Sequence, residues 1–367
     1  MKILLLGEYS NVHHTLAEGL RVLGHEVTVA SDGDGWKGYD RDIDLTRRSH
    51  GVVNTIRYWL EVQKQFSKFK GYDVVQLINP VFLNLKAERM MPYYGQLKRN
   101  NASIFMGAYG MDHFFVKACL DYKTFRYSDF AIGNSYRDYA ENQVWIRDWL
   151  NGSKGELNKR IADDCNGIVA GLYEYYASYL PYYSEKLTFI PFPIKPHPAV
   201  EKEYKQTPDK VRFFIGIQKR RNTYKGTDIM LRALERVHEE MPSLCEIVKV
   251  ESVPFKVYCE MMEGSDVILD QLYSYTPAMN ALEAMSKGLI VVGGGEPENY
   301  EILNETELRP IVNVWPSEEN VYDALRQLVL ERHKVPLLSK ESRLYIERHH
   351  HYIKVARQYL DFWQSRM

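Results

Sequence analysis

The segment that decides the fold reads Tyr273-Ser-Tyr-Thr-Pro-Ala-Met-Asn-Ala-Leu-Glu-Ala-Met-Ser-Lys-Gly-Leu-Ile-Val-Val-Gly-Gly-Gly295. It predicts a loop, a helix, a buried strand and a glycine-rich turn, in that order. Thr276 is a residue type that caps helix starts, and Pro277 suits the first helical position. Gly288 predicts the end of the helix, because glycine readily adopts the left-handed conformation that closes helices. A helix followed by a short apolar strand is typical of a parallel α/β sheet.

The predicted helix carries one carboxylate, Glu283, in its second turn among small and apolar residues. Backbone N–H groups and the dipole at a helix start can hold phosphate. A carboxylate deeper in the helix can accept hydrogen bonds from ribose hydroxyls, so the segment suits a nucleotide-sugar. A buried helix with a solvated Glu283 explains the local pattern equally well, and the pattern alone leaves both interpretations open.

The composition indicates a globular protein without a strong charge. The chain has 367 residues, enough for two domains of ordinary size. It contains 47 Lys and Arg against 48 Asp and Glu, which gives a net charge of −1. A nearly neutral chain offers no overall attraction to nucleic acid, so we expect no nucleic-acid partner.

The cysteines and the N-terminus indicate a cytoplasmic location. Four cysteines are widely spaced and none has CxxC spacing, which is typical of neither a zinc site nor a redox motif. The first apolar run stops at Gly7-Glu8 and is too short for a signal peptide or a membrane span. We therefore expect a cytoplasmic protein, and any membrane contact would be peripheral, on the inner face.

Strands and helices alternate in both halves of the sequence. The first half opens with a strand at Lys2–Leu6, and the second opens with one at Val211–Gly216. Between them, Pro191–Pro208 contains four prolines within eight residues and predicts an inter-domain linker. The sequence thus predicts two Rossmann-like halves with a cleft between them.

A basic loop follows the first strand of the second half. The stretch Gly216–Gly226 contains four cations, Lys219, Arg220, Arg221 and Lys225. Its place at the carboxyl end of a strand is where open α/β sheets bind ligands, and such cations suit a diphosphate. Charge runs are more often solvated loops, but the predicted helix start at Thr276 follows another strand of the same sheet. We therefore expect the two elements to share one site.

These motifs together resemble a known family. The matching positions are Gly216, Lys219, Lys225-Gly226, Glu283-Ala-Met-Ser-Lys-Gly288, Val291-Val292, Gly293-Gly-Gly295 and either Glu298 or Glu301. Their order is similar to that in the donor half of retaining nucleotide-sugar glycosyltransferases with the GT-B fold, especially family 4.

The resemblance implies a fold and its domains. The fold would be α/β of the GT-B type, with two Rossmann-like, doubly wound domains and an inter-domain cleft. Residues 1–195 would form an acceptor-side domain and 196–340 the domain that binds the nucleotide-sugar donor. Residues 341–367 would form a C-terminal helix that packs back on the first domain.

The resemblance also implies roles for single residues. Glu283 would bind the donor ribose, and Lys219 and Lys225 would hold the diphosphate. The implied donor-binding residues are Lys219, Arg220, Arg221, Lys225, Tyr275, Thr276, Ala278, Met279 and Glu283, with backbone amides acting at Ala278 and Met279. The family usually has a further Glu where this chain has Tyr275, and tyrosine cannot supply that carboxylate. No metal and no cofactor are implied.

Two polar residues in the first half are candidates for catalysis. Asp112 and His113 end the segment Met106-Gly-Ala-Tyr-Gly-Met-Asp-His113, which follows a predicted strand. They resemble in position the polar residue that such enzymes place beside the transferred sugar. A capped turn that starts a helix at Phe114 is an equally good interpretation. The nearby stretch Tyr122–Trp149 is rich in Tyr, Arg and Trp and fits either an acceptor or lipid-surface region or core packing.

The resemblance implies a glycosyltransferase of the hexosyltransferase type. It would move a sugar from a nucleotide diphosphate-sugar to a hydroxyl acceptor, a glycan or a lipid-linked molecule, in surface polysaccharide or glycan biosynthesis. One alternative is a nucleotide-sugar epimerase of the same architecture. Another is a non-catalytic nucleotide-sugar-binding protein, which Tyr275 favours. A dehydrogenase is disfavoured because GxGxxG is absent after the first strand.

Overall fold

The chain divides into two units in the computed structural model, which describes residues 1–49, 51–197, 207–218, 222–253 and 255–367. Unit 1 comprises Met1–Thr124, Asn142–Pro193 and Tyr352–Met367. Unit 2 comprises Phe125–Glu141 and Ile194–His351. The sequence predicts that residues 1–195 form one domain, whereas in the structure the segment 125–141 belongs to unit 2.

The regular elements account for most of the described chain. The strands are β1 (Lys2–Leu6), β2 (Glu26–Ser31), β3 (Ile43–Asp44), β4 (Val74–Leu77), β5 (Ser103–Ala108), β6 (Ala131–Ile132), β7 (Ser135–Tyr136), β8 (Gly167–Ala170), β9 (Leu187–Phe189), β10 (Val211–Ile217), β11 (Cys245–Glu251), β12 (Val267–Leu269) and β13 (Ile290–Val292). The helices are α1 (Val12–Val22), α2 (Val52–Phe66), α3 (Met90–Asn100), α4 (His113–Cys119), α5 (Ala140–Trp149), α6 (Ser153–Asp164), α7 (Tyr173–Tyr183), α8 (Asn222–Lys225), α9 (Thr227–Glu240), α10 (Phe255–Met262), α11 (Met279–Ser286), α12 (Pro297–Ile302), α13 (Glu318–Leu330), α14 (Val335–Tyr345) and α15 (Tyr352–Gln364).

Unit 1 is built on a parallel sheet. Its described strands have the order β3-β2-β1-β4-β5-β8-β9. Leu4 of β1 and the α2 residues Val62 and Phe66 belong to one hydrophobic core. Side chains alternate along a strand, so the equally buried Ile3 and Leu5 point to the opposite face. Helices therefore cover both faces of the sheet, as in doubly wound folds. The strand order changes direction between β1 and β4.

Unit 2 contains a smaller parallel sheet with the order β11-β10-β12-β13 in its described part. Phe214 of β10 pairs with Val248 of β11 and with Ile268 of β12. On the sheet's surface, Met230 and Leu234 of α9 are fully buried in the core. Because all these strands run the same way, the loops after β10, β12 and β13 leave from one edge of the sheet.

The segment 125–141 contributes an antiparallel hairpin, β6–β7, to unit 2. Ile132 packs against the core of unit 2. Tyr127 and Arg137 are also buried. Local sequence cannot reveal this position, because the hairpin lies in the chain between α4 and α5, which both belong mainly to unit 1.

The C-terminal helix is shorter than expected for 341–367. Helix α14 continues into a π-helical turn, Ile346–His350, and α15 begins only at Tyr352. At this break, the carbonyl of His350 accepts a hydrogen bond from Ile194 N at 2.7 Å. Helix α15 lies in unit 1 and packs against α1, where a Cβ at Gly19 would meet Tyr352 O at 2.5 Å.

Candidate functional site

The start of α11 lies later than the sequence predicts. Helix α11 begins at Met279, and its N-cap is the extended residue Ala278. The expected cap at Thr276 is wrong, because Thr276 is buried and its carbonyl accepts a hydrogen bond from Ser274 Oγ at 2.5 Å. Pro277 consequently precedes the helix instead of opening it.

The glycine-rich turn after β13 packs against this loop. Gly294 has φ +72°, and a Cβ there would lie 3.0 Å from the carbonyl oxygen of Thr276. Only glycine accommodates both the left-handed backbone and this close approach. The turn therefore packs against the loop that leads into α11, and Thr276 in that loop is buried.

The basic loop is joined to the loop that leads into α11. Lys219, Arg220 and Arg221 lie outside the described residues. Lys225 ends α8, and its carbonyl accepts a hydrogen bond from Leu272 N at 3.0 Å. Gly226 follows with φ +74°, where a Cβ would lie 2.6 Å from Leu272 Cβ. The end of the basic loop and the segment after β12 are thus held together at one edge of the sheet.

The ammonium group of Lys225 is available for a ligand within the described structure. Its side chain is half-buried, and Nζ makes no hydrogen bond or ion pair to the described parts of the chain. A cation without a partner among the described residues favours an anionic ligand.

Glu283 is held by a histidine that the sequence did not point to. Its side chain is 32% exposed, and Oε1 lies 2.6 Å from His197 Nε2. Lys287 Nζ lies farther from the same oxygen, at 3.9 Å. Both partners belong to unit 2, so the carboxylate is already oriented by the protein. His197 follows a proline in the predicted linker, and nothing in the local sequence indicates that it contacts Glu283.

Tyr275 is a packing residue. It is 2% exposed, and its hydroxyl accepts a hydrogen bond from Arg126 N at 2.6 Å. The Arg126 guanidinium lies over its ring at 4.8 Å, and the Tyr127 ring lies 4.9 Å away. Burial raises the pKa of Tyr275 to about 12, so the hydroxyl is neutral. The residue that replaces the family's carboxylate therefore faces the hairpin segment instead of offering a charge to a ligand.

The acids after the glycine-rich turn bind the same arginine. Arg126 forms ion pairs with Glu298 at 2.5 Å and Glu296 at 2.7 Å. Tyr127 donates its hydroxyl to Glu296 at 2.6 Å. Partial burial acts to raise the pKa of Glu298, but the hydrogen bond from Arg126 outweighs it and the pKa is lowered. Glu298, a possible match to the family's acid, is thus engaged within the protein.

The hairpin segment also holds the basic loop. Arg137 donates from Nη2 to Thr223 O at 2.8 Å, and its guanidinium lies 3.4 Å from the centre of the Tyr273 ring. The hydroxyl of Tyr224 donates to Asp129 Oδ2 at 2.8 Å. One segment, 125–141, therefore contacts both loops of the candidate donor site. Its density of Tyr and Arg was visible in the sequence, but its partners were not.

Asp112 and His113 lie in unit 1, where Asp112 caps α4. The Asp112 carboxylate accepts from Phe115 N at 2.9 Å and from Tyr179 Oη at 2.8 Å. Burial raises its pKa to about 7. Asp112 is fully buried, so the structure supports the capped-turn interpretation and places no carboxylate oxygen where a sugar could reach it. His113 is half-buried, with Nδ1 2.9 Å from Trp149 O, and its role in catalysis stays a prediction.

A cavity of about 310 Å³ lies in unit 1 at the carboxyl ends of β1, β2 and β4. Its polar lining includes Glu8, Asp32 and Lys154, and its apolar lining includes Tyr58 and Phe82. The order of the sheet reverses at this edge, the usual place for ligands in such folds. The sequence had shown only a loop with a single glycine here.

Glu8 is the chemically unusual residue of this cavity. Its carboxylate accepts hydrogen bonds from the N–H groups of His13, at 3.2 Å, and His14, at 2.9 Å, in the first turn of α1. Burial raises its pKa to about 8, although these N–H groups act to lower it. Burial therefore favours the neutral form of Glu8.

Neither a metal-binding cluster nor a membrane-spanning helix is present among the described residues. Across the described ranges, no cluster of three or more His, Cys, Asp or Glu side chains could hold a metal ion. Among the helices that the structure describes, none is long and apolar enough to cross a membrane.

Comparison with solved structures identifies the architecture. Sucrose-phosphate synthase of Thermosynechococcus elongatus is similar with a TM-score of 0.61 and 12% identity, covering 100% of this chain and 99% of that one. HepE of Anabaena, crystallised with UDP and glucose, has a TM-score of 0.59 and 12% identity, with 100% of both chains covered. The chain has the GT-B fold.

A third GT-B neighbour is larger than this chain. TarM of S. aureus, in complex with fondaparinux, α-GlcNAc-glycerol and UDP, has a TM-score of 0.55 and 12% identity. The similarity covers 83% of this chain and 59% of TarM, so the chain spans less than two thirds of that structure. No protein-family model matches the chain. The search of curated proteins also gave no match.

The GT-B fold confirms the fold class predicted from the sequence. Within it, unit 2 contains Lys225, the start of α11 and Glu283. Unit 1 provides a cavity beside Glu8. These two places are the candidate binding sites of this GT-B chain.

Proposed function

We propose that the chain is a glycosyltransferase that moves a sugar from a nucleotide diphosphate-sugar to a hydroxyl acceptor. The observation that carries this proposal is the hydrogen bond between Leu272 N and Lys225 O, at 3.0 Å. It holds Lys225, whose ammonium has no partner among the described residues, and the loop that leads to α11 at the same edge of one sheet. A diphosphate is the ligand that such an arrangement favours.

The ligands of structural neighbours support the same donor chemistry. HepE was crystallised with UDP and glucose, and TarM with UDP and α-GlcNAc-glycerol. In this chain, a nucleoside diphosphate would place its phosphates between Lys225 and the N–H groups at Ala278 and Met279. Glu283 would accept a hydrogen bond from a ribose hydroxyl.

The chemistry proposed for the donor site is electrostatic. Transfer breaks the bond between the anomeric carbon and a diphosphate oxygen and forms a bond from that carbon to the acceptor oxygen. Negative charge grows on the leaving diphosphate, and Lys225 with the α11 dipole would stabilise it there. The proton of the acceptor hydroxyl would pass to the leaving diphosphate, whose oxygen gains the electron pair of the broken bond. On this proposal neither a metal nor a cofactor takes part, and the configuration is retained.

The acceptor proposed for this reaction binds unit 1. The cavity beside Glu8 has both polar and apolar walls, which suits a glycan ring or a lipid-linked glycan. Glu8 lies in the wall of this cavity, and burial favours its neutral form, so it would not repel an anionic glycan. We place the reaction in surface polysaccharide or glycan biosynthesis, in the cytoplasm.

The test is nucleotide binding by isothermal titration with UDP, GDP and ADP. We expect one of them to bind the wild-type protein and Lys225→Ala to weaken that binding about tenfold or more, because a charge-assisted hydrogen bond contributes about 1.5–3 kcal/mol. Glu283→Ala is expected to weaken it as well. Lys340→Ala is the matched control, since Lys340 is an exposed lysine of α14 in the same unit.

Two results would contradict the proposal. One is that no nucleoside diphosphate binds the wild-type chain. The other is that Lys225→Ala and Glu283→Ala keep the wild-type affinity, which would remove the assigned site.

A second candidate function is nucleotide-sugar binding without transfer. It is favoured by Tyr275, whose hydroxyl is buried against Arg126 and supplies no carboxylate to the site. Incubating the protein with its tightest-binding nucleotide-sugar and following the anomeric signals by NMR separates the candidates. Transfer or slow hydrolysis supports the enzyme, an unchanged donor supports the binding protein, and a new sugar epimer indicates an epimerase.

A further inference from the structure

Helix α2 of unit 1 has two apolar faces. One face buries Val62 and Phe66 in the core. On the other side, Val52, Ile56 and Leu60 are 78%, 54% and 55% exposed. Their spacing of four residues places them in one row along the helix, because successive residues turn by about 100°. We call Val52, Ile56 and Leu60 the exposed row.

Two more apolar side chains flank the exposed row. Val53 is 72% exposed and Trp59 is 40% exposed. Five large apolar side chains thus reach solvent within nine residues of one helix. Single exposed apolar residues are normal on soluble proteins, but a contiguous group indicates an interaction surface.

The surroundings of the exposed row are strongly basic. The stretch 47–70 contains Lys or Arg at six positions, Arg47, Arg48, Arg57, Lys64, Lys68 and Lys70, and one acid, Glu61. The whole chain has a net charge of −1, so this concentration of positive charge is local. Arg57 and Lys64, at the edge of the exposed row, are themselves exposed.

We propose that α2 docks unit 1 on the surface of a bilayer that contains anionic lipid. The exposed row would enter the boundary between headgroups and acyl chains, and Arg57 and Lys64 would contact lipid phosphates. Trp59, at the side of the row, suits the interface because its ring is apolar and its N–H is polar. The apolar row supplies insertion and the cations supply attraction, the two contributions that interfacial helices combine.

The charges favour a membrane over a second copy of this chain. A two-fold contact through the exposed row would bring two sets of the same cations together, which is unfavourable. An anionic lipid surface is complementary to those cations. The aromatic stretch Tyr122–Trp149, considered for this contact from the sequence, is a poorer surface because Tyr127 and Arg137 are buried in unit 2.

The test is flotation of the whole protein with vesicles, without any nucleotide, so its outcome is independent of the proposed transfer. The vesicles contain phosphatidylcholine and phosphatidylglycerol at a ratio of about 7:3, or phosphatidylcholine alone. We expect binding to the first and little to the second. Leu60→Glu is expected to weaken partitioning at least tenfold, because it replaces a buried hydrocarbon by a charge.

A matched control is available in unit 2. Leu337 in α14 is 57% exposed, close to the 55% of Leu60, and Leu337→Glu is expected to bind vesicles like the wild-type protein. The double variant Arg57→Gln with Lys64→Gln is expected to weaken binding about 25-fold, since each cation near the surface contributes about fivefold. Raising the salt concentration should reduce wild-type binding in the same direction.

Thermal unfolding of each variant keeps the result interpretable. All these positions are exposed, so unchanged unfolding temperatures are expected, and Leu60→Ser replaces Leu60→Glu if the latter unfolds early. Wild-type protein that stays unbound to anionic vesicles would overturn the proposal. So would Leu60→Glu binding as well as Leu337→Glu. A dimer that Leu60→Glu dissociates, with no vesicle binding, would also overturn it and assign the exposed row to self-association.

Discussion

Replacing Tyr275 by phenylalanine tests whether this residue anchors the hairpin segment 125–141 to the loop that leads into α11. The change removes one hydroxyl and keeps the ring, so the contacts with Arg126 and Tyr127 at 4.8 and 4.9 Å are retained. What is lost is the acceptor 2.6 Å from Arg126 N. A buried N–H group left without a partner costs about 1–3 kcal/mol, and the partly buried Arg126 N–H is expected to lie at the lower end, about 1 kcal/mol. For a unit of this size, each kcal/mol lowers the melting temperature by about 2–4 °C.

The assay is urea unfolding followed by tryptophan fluorescence. Trp315 is the one tryptophan whose sequence position falls in unit 2, and its ring lies 5.1 Å from that of Tyr127. The difference between the signals of the protein and of its Trp315→Phe variant therefore reports on unit 2. We expect Tyr275→Phe to lower the unfolding midpoint of that signal.

The matched control is Tyr122→Phe. Tyr122 is 41% exposed, and its hydroxyl has no hydrogen bond to the described part of the chain, so no change in stability is expected. If Tyr275→Phe unfolds within about 0.5 kcal/mol of the wild-type protein, its hydroxyl does not satisfy a buried donor. The anchoring role assigned to Tyr275 would then be refuted.

Three further predictions concern single residues. Burial raises the pKa of Glu8 to about 8, so the folded protein keeps a proton that the unfolded chain releases above pH 4.5. Wild-type stability should therefore fall by up to about 1.4 kcal/mol per pH unit between pH 5 and 8, and Glu8→Gln should remove that slope in urea titrations at several pH values. Burial acts to raise the pKa of Glu305, but the hydrogen bond from His349 and further N–H groups lower it to about 2. Its contribution to stability is present above pH 4.5 and is lost as the pH falls towards 2, so acid unfolding of Glu305→Gln should show a shallower pH dependence. Gly294→Ala should destabilise unit 2 by about 1–2 kcal/mol in the Trp315 signal and weaken nucleotide binding, because it strains a left-handed residue and displaces Thr276.

Two helices of unit 2 follow directly from the local sequence. Helix α9 spans Thr227–Glu240, and its apolar residues recur at helical spacing. Ser317 caps α13 by accepting from Asn320 N at 3.1 Å. Both depend on residues within a few positions of one another, where side-chain period and capping chemistry decide the outcome.

The start of α11 shows where local reasoning fails. Thr276 and Pro277 are good cap and first-turn residues, yet the helix begins at Met279. The competing interaction comes from Gly294, whose turn packs against the Thr276 carbonyl. A contact between separate loops thus overrides a favourable local signal.

The sequence alone determined the α/β class, the parallel strands and two loops, the basic loop that ends at Lys225 and the loop before the helix of Glu283, because apolar period and glycine positions are local properties. Only the tertiary structure decided how those loops are held. Tyr275 meets Arg126 from 149 residues away in the chain, and no local pattern encodes such a contact. The raised pKa of Glu8 likewise depends on burial by elements distant in sequence. Burial and long-range hydrogen bonds arise only when the chain is folded, and they determine which of the polar residues remain free to bind a ligand.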